Sequence, residues 1–129
     1  GWRVFQGVVR AAGLGVDVRV VLPLFSAIPK RLRGKVIGPC EAVLNGEAVT
    51  GQLRETVLPG SDVPVYLVEH DGYFDRDELY GDYADNLERF SFFSRAALDG
   101  IGRTGWSPAI VHCHDWHTGA IPALLKTRL

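Results

Sequence analysis

The stretch Val16-Asp-Val-Arg-Val-Val-Leu22, closed by Pro23, alternates at first and then fills with β-branched residues. That is the pattern of a strand that becomes buried on both sides towards its end. Upstream, residues 2–14 read as the end of a helix. Val4, Val8, Val9 and Ala12 fall near one face, and Gly13 and Gly15 supply the stop. A short helix feeding such a strand is half of a βαβ unit.

Further along, the period changes. Lys35-Val-Ile37, Glu41-Ala-Val-Leu44, Val49 to Val57 and Val63 to Val68 read as strands. Asn45-Gly46 is a two-residue hairpin turn, since both residue types tolerate positive φ. Pro59-Gly60 marks a second turn. A β-hairpin excursion therefore interrupts an α/β pattern, and Val65-Tyr-Leu-Val68 rejoins the main sheet. His70 to Asp85 reads as a polar loop rich in aspartate and tyrosine, and a long loop in a compact domain commonly carries function. Asp85 with Glu88 has the spacing of a capping box. Leu87, Phe90, Phe93, Ala97, Leu98 and Ile101 then recur at helical spacing. Pro108-Ala-Ile-Val-His112 reads as a short buried strand, and a second helix starts at Thr118. The order implies α/β with a Rossmann-like, mostly parallel sheet.

The bulk numbers narrow the class. With 129 residues, 47% hydrophobic and 22% charged, the chain has the composition of one globular domain. A formal net charge of −1 offers no polybasic surface for nucleic acid or an acidic membrane. Runs such as Val20 to Phe25 are too short and too interrupted to span a bilayer. No signal peptide is visible at the start, and the chain holds no methionine, so it reads as a fragment. Cys40 and Cys113 read as two reduced thiols.

The densest chemistry is His112-Cys-His-Asp-Trp-His117, after the last expected strand and before a helix. Ligands of open α/β sheets bind beyond the carboxyl ends of strands, and a helix N-terminus favours anions. Three readings stand side by side. His112, His114 and His117 with Asp115 are metal-ligand types, although the aspartate falls one residue early for an H-x-H-x-D-H site. Alternatively His112, Cys113 and Trp116 are core residues and Asp115 is a helix cap. In the third reading Asp115 and His117 bond sugar or nucleotide hydroxyls, while Thr118 and Gly119 open the helix and let the backbone approach the ligand.

The string Val111-His-Cys-His-Asp-Trp-His-Thr-Gly119 resembles the V-H-x-H-D-W-H-x-G signature of bacterial glycogen and starch synthases. Val65-Tyr-Leu-Val-Glu69, Tyr73-Phe-Asp-Arg76, Leu79-Tyr-Gly-Asp82 and Asp85-Asn-Leu-Glu-Arg-Phe90 are similar to the same family in order and spacing, as is Val16 to Pro23. The resemblance runs from about residue 14 to residue 128. It implies a retaining GT-B glycosyltransferase that moves glucose from ADP-glucose to the nonreducing end of an α-1,4-glucan without a metal or other cofactor. Residues 1–129 would be part of its N-terminal, acceptor-side domain. The nucleotide-binding C-terminal domain would lie outside the chain, and the 129 residues alone would be inactive. The resemblance makes Asp115 the catalytic candidate and Tyr80, His117, Thr118 and Gly119 the substrate-binding candidates. It implies an α-glucan and a nucleotide sugar as partners and the bacterial cytoplasm, rather than a plastid, as location. The family's Lys-x-Gly-Gly-Leu loop does not occur in the chain. A non-catalytic carbohydrate- or nucleotide-binding module is the alternative.

Overall fold

The computed structural model describes residues 2–78 and 81–113, the first four of them as backbone only. Helix α1 (Trp2–Gly13) leads to strand β1 (Val20–Pro23). Strands β2 (Lys35–Leu44), β3 (Glu47–Val57) and β4 (Pro64–Glu69) follow. The short helix α2 (Asp71–Phe74) and the long α3 (Asn86–Arg103) complete the described elements.

The four strands form one sheet in the order β1-β4-β3-β2. β4 runs parallel to β1, with Val20 opposite Val65 and Leu22 opposite Leu67. It runs antiparallel to β3, with Leu53 opposite Val68. The α/β class and the return of Val65–Val68 to the main sheet are as the sequence implies. The hairpin, however, does not stand off from the sheet. Its second strand pairs with β4, so among the described residues one of the three pairings is parallel and two are antiparallel. The physical reason is the short, hydrogen-bonded turn at 58–63, where Leu58 N–H donates to the Val63 carbonyl (2.9 Å) and Gly60 sits at φ 76°. A connection that short makes adjacent strands antiparallel.

The Asn45-Gly46 turn forms with φ of 51° and 79°, the two positive values that match a hairpin's right-handed twist. β2 lies at the sheet edge, which is where Pro39 is tolerated. A register shift between Val36 and Gly38 adds a bulge there.

Helix α3 covers one face of the sheet, chiefly over β2. Phe90, Phe92, Phe93, Ala96, Ala97 and Ile101 pack onto Cys40, Ala42, Leu53, Tyr66 and Val68. Gly100 permits the close approach, since a Cβ there would sit 3.2 Å from the Cys40 side chain and from Leu53. Val65 and Leu67 point to the opposite face and pack with Leu24. β4 is thus buried on both sides, each of its aliphatic side chains contributing about 1.5–3 kcal/mol.

Four local expectations change. β1 starts at Val20 rather than Val16, because Asp17 and Arg19 pair with each other (3.2 Å) and with Trp106. Val9 is 41% exposed, so the apolar stripe of α1 is only partly covered. Leu87 is 82% exposed, because it lies on the first turn of α3, before the helix reaches the sheet. Residues 108–112 form no strand: Ile110 is 85% exposed and Val111 and His112 are also exposed. A run apolar on both sides is stable as a strand only between two covering layers, and no described element covers this one.

Gly34 has φ 62°, and a Cβ there would run into the Glu55 carbonyl. Gly38 has open space around the same position. Gly34→Ala is therefore expected to cost about 2–4 kcal/mol by urea denaturation. Gly38→Ala should cost under about 1 kcal/mol, since strand glycine is disfavoured in any case.

Candidate functional site

β1 and β4 are parallel, so their carboxyl ends lie side by side and the loops that leave them, 24–34 and 70–85, meet at one edge of the sheet. This is the edge at which α/β sheets bind ligands. Hydrogen bonds join the two loops. Leu24 N–H donates to the Val68 carbonyl (2.8 Å), and the Ser26 hydroxyl donates to the Arg76 carbonyl (2.5 Å). Arg33 closes the first loop on itself, donating to the carbonyls of Ile28 (3.0 Å) and Ser26 (3.3 Å). Glu69, the last residue of β4, is held by Arg54 from β3 at 2.9 Å.

The second loop is built, not loose. His70 caps α2, its Nδ1 accepting from Tyr73 N–H at 3.2 Å, and its ring stacks on Tyr73 with centroids 4.3 Å apart. Tyr73 donates its phenol to Glu88 at 2.9 Å, and burial with that carboxylate raises its pKa to about 12. Arg76 makes a two-pronged pair with Asp85 at 2.6 Å on each prong and also donates to the Gly72 carbonyl at 2.7 Å. Its guanidinium lies 4.8 Å from the centre of the Tyr83 ring. The Arg76 hydrogen bonds hold the Asp85 carboxyl below the usual carboxylate range.

This network replaces the expected capping box. Asp85 does occupy the N-cap of α3, but its side chain makes no cap bond. A charge-assisted, two-pronged bond to guanidinium outcompetes a neutral backbone N–H, and Glu88 is engaged by Tyr73. Beneath the pair lies Arg89, fully buried, donating to the Tyr73 carbonyl (2.6 Å) and the Asn86 side chain (2.8 Å). Arg76 and Arg89 are the residues that the sequence reading missed. The available signal was a charged residue on the apolar stripe of α3, at helical spacing from Phe93 and Ala96.

The sequence-derived site residues Tyr80, Asp115, His117, Thr118 and Gly119 lie outside the described residues, as does the helix expected from Thr118. Gly81 and Asp82 follow the first of these in the chain, and His112 and Cys113 lead into the others. His112 is exposed rather than a buried strand residue, because the strand that would bury it is not formed. Cys113 is a free, half-buried thiol, and Cys40 is a free, buried one. Burial pushes Cys40 up to about 11, which makes it a core residue and not a nucleophile. Among the described residues no group of three histidine, cysteine, aspartate or glutamate side chains is placed to hold a metal ion, and no helix is long and apolar enough to cross a membrane.

The family model of the starch synthase catalytic domain matches residues 8–129. The chain belongs to that family. Among curated relatives, glycogen synthase from Syntrophotalea carbinolica is 48% identical over 120 residues, covering 88% of this chain and 24% of the relative. Glycogen synthase from Geotalea uraniireducens is 44% identical over 119 residues, with the same two coverages. The chain thus spans about a quarter of the length of these starch synthase relatives. In three dimensions it is similar to the catalytic domain of starch synthase IV from Arabidopsis thaliana bound to ADP and acarbose. The TM-score is 0.81 at 30% identity, covering 95% of this chain and 26% of that one. The sheet edge described above is therefore part of a GT-B starch synthase domain, and the implied fold class stands with its sheet corrected to a mixed one.

The Arg76–Asp85 pair gives a pH-dependent expectation. A carboxyl whose folded pKa is lowered stabilises above the ordinary value of 3.8, and that stability is lost as pH falls through the lowered value. Asp85→Asn should cost about 1 kcal/mol at pH 7, discounted for partial exposure. The difference from the unsubstituted protein should vanish in urea titrations well below pH 3.8.

Proposed function

We propose that the chain forms part of the glucan-side wall of a retaining glycosyltransferase, a glycogen or starch synthase that moves glucose from ADP-glucose to the nonreducing end of an α-1,4-glucan. The observation that carries this reading is the family match across residues 8–129, which takes in the whole of Val111–Gly119. The likeness to a starch synthase bound to ADP and acarbose supports a nucleotide sugar and a glucan as the two partners. On this reading Asp115 is the catalytic candidate, making a polar contact to the reacting sugar or acceptor. His117 orients it, and Thr118 and Gly119 offer backbone N–H groups to the ligand. Tyr80 lines the same cleft from the loop that Arg76, Asp85 and Arg89 brace. Departing diphosphate would be stabilised by cationic groups elsewhere in the complete enzyme, with no metal or other cofactor and in the bacterial cytoplasm.

The test uses the complete reading frame that holds these residues. With ADP-glucose and a maltooligosaccharide, Asp115→Ala should lower kcat by at least about 100-fold, the scale of a group that acts mainly in the transition state. The melting temperature should change little. Near-normal transfer by the variant would remove Asp115 from the reaction. Glucan binding that survives in a protein with no transfer activity would favour a carbohydrate-binding module.

A further inference from the structure

Arg54 ties together the end of the sheet beside the ligand edge. It lies on β3, where its Nε donates to Glu69 Oε1 at 2.9 Å and its Nη1 donates to the Gly34 carbonyl at 3.3 Å. Glu69 is the last residue of β4 and stands opposite Gln52, the end pair of the β3–β4 ladder. Directly paired residues share a face of the sheet, and so do residues two apart on one strand. Gln52, Arg54 and Glu69 therefore project together, away from the face on which α3 covers Leu53 and Val68. The two strands meet closely at this end, since a Cβ on Gly51 would lie 2.5 Å from the Glu69 carbonyl oxygen.

The set has hydrogen-bonding capacity to spare. Among the described residues, Glu69 Oε2 and the Gln52 amide make no hydrogen bond. Side-chain exposures of 25% for Arg54 and 21% for Glu69 leave the pair within reach of solvent, and Gln52 is exposed. A carboxylate beside a guanidinium suits neither an anion nor a cation, since each would meet one like charge. An apolar ligand would strip water from both charges and replace none of it. The ligand that fits is neutral and carries adjacent hydroxyls: one donates to Oε2, and its neighbour accepts from the Gln52 amide. A glucose unit of an α-glucan offers such a pair. Arg54, fixed in turn by Gly34, orients the carboxylate before a ligand arrives.

We propose that Glu69 binds adjacent hydroxyls of a glucose unit of the glucan, with Arg54 as its positioning residue. This rests on the reading of the complete protein as a glucan synthase and deepens it by naming a contact to the acceptor.

The test uses the complete reading frame with ADP-glucose and maltoheptaose. Glu69→Gln keeps the size of the side chain and an oxygen for Arg54 but removes the charge. It should raise KM for maltoheptaose about tenfold, the scale of a lost charge-assisted hydrogen bond. KM for ADP-glucose should move less than about twofold on the same scale. Arg54→Lys keeps a cation but not the fork of donors. Alone it should raise the maltoheptaose KM about threefold, and on top of Glu69→Gln less than about twofold, because the carboxylate it orients is gone. An unchanged maltoheptaose KM in Glu69→Gln, with or without a fall in melting temperature, would make the pair purely structural and overturn the assignment. An equal rise in both KM values would overturn it as well. Should Glu69→Gln not fold, Gln52→Ala decides in its place: a maltoheptaose KM raised about threefold upholds the assignment, and an unchanged one overturns it. A complete protein that transfers no glucose defeats both the synthase reading and this contact. Transfer with a maltoheptaose KM indifferent to Glu69 defeats the contact alone.

Discussion

The burial of β4 on both faces is the constraint on which the rest of the structure hangs. Val65, Tyr66, Leu67 and Val68 are each at most 5% exposed. Among the described strands, β4 alone pairs with two kinds of neighbour, β1 in parallel and β3 in antiparallel. The parallel pairing sets the carboxyl ends of β1 and β4 side by side, at the kind of edge where α/β sheets bind ligands. The antiparallel pairing brings in the hairpin, whose inner face gives α3 its floor. With α3 fixed on that floor, its first turn presents Asn86 and Arg89 to the loop that leaves β4.

That arrangement puts electrostatics in an unusual place. The ion pairs among the described residues are all partly solvent-accessible and each contributes modestly. Arg89 of α3 differs in being fully buried, and it lies with the Arg76–Asp85 pair around the Tyr83 ring. Desolvation and the neighbouring Arg76 both lower the proton affinity of Arg89, yet a guanidinium stays charged in proteins. The loop supplies the compensating carbonyl and ring faces, so cation and loop order one another.

Much of the fold was legible because it is local. Asn45-Gly46 can form few things other than a tight hairpin turn, and the run from Val65 to Val68 can be little other than a buried strand. The place of the hairpin in the sheet was not legible, since strand pairing is a long-range choice that a period-2 pattern does not encode. The strand expected at 108–112 failed for a related reason: apolar residues identify what could be buried, and only the tertiary structure supplies the cover. The Asp85-x-x-Glu88 spacing pointed to a cap, but nine residues upstream stood a stronger partner, Arg76, which no local rule connects to it. The site itself was read from Val111–Gly119 and from Leu79-Tyr-Gly-Asp82, on likeness to a family. The physical frame of that second segment, buried Arg89 above all, emerged only from packing.

The central claim is that the loop braced by Arg89 and the segment beyond Cys113 face one sugar-binding cleft. A crystal structure of the complete protein with ADP and acarbose tests it most directly. The expected result is a glucose-like ring within hydrogen-bonding distance of the Asp115 carboxylate, with Tyr80 on the same side of the ligand. Acarbose seated with no contact from residues 79–82 or 114–119 would contradict it.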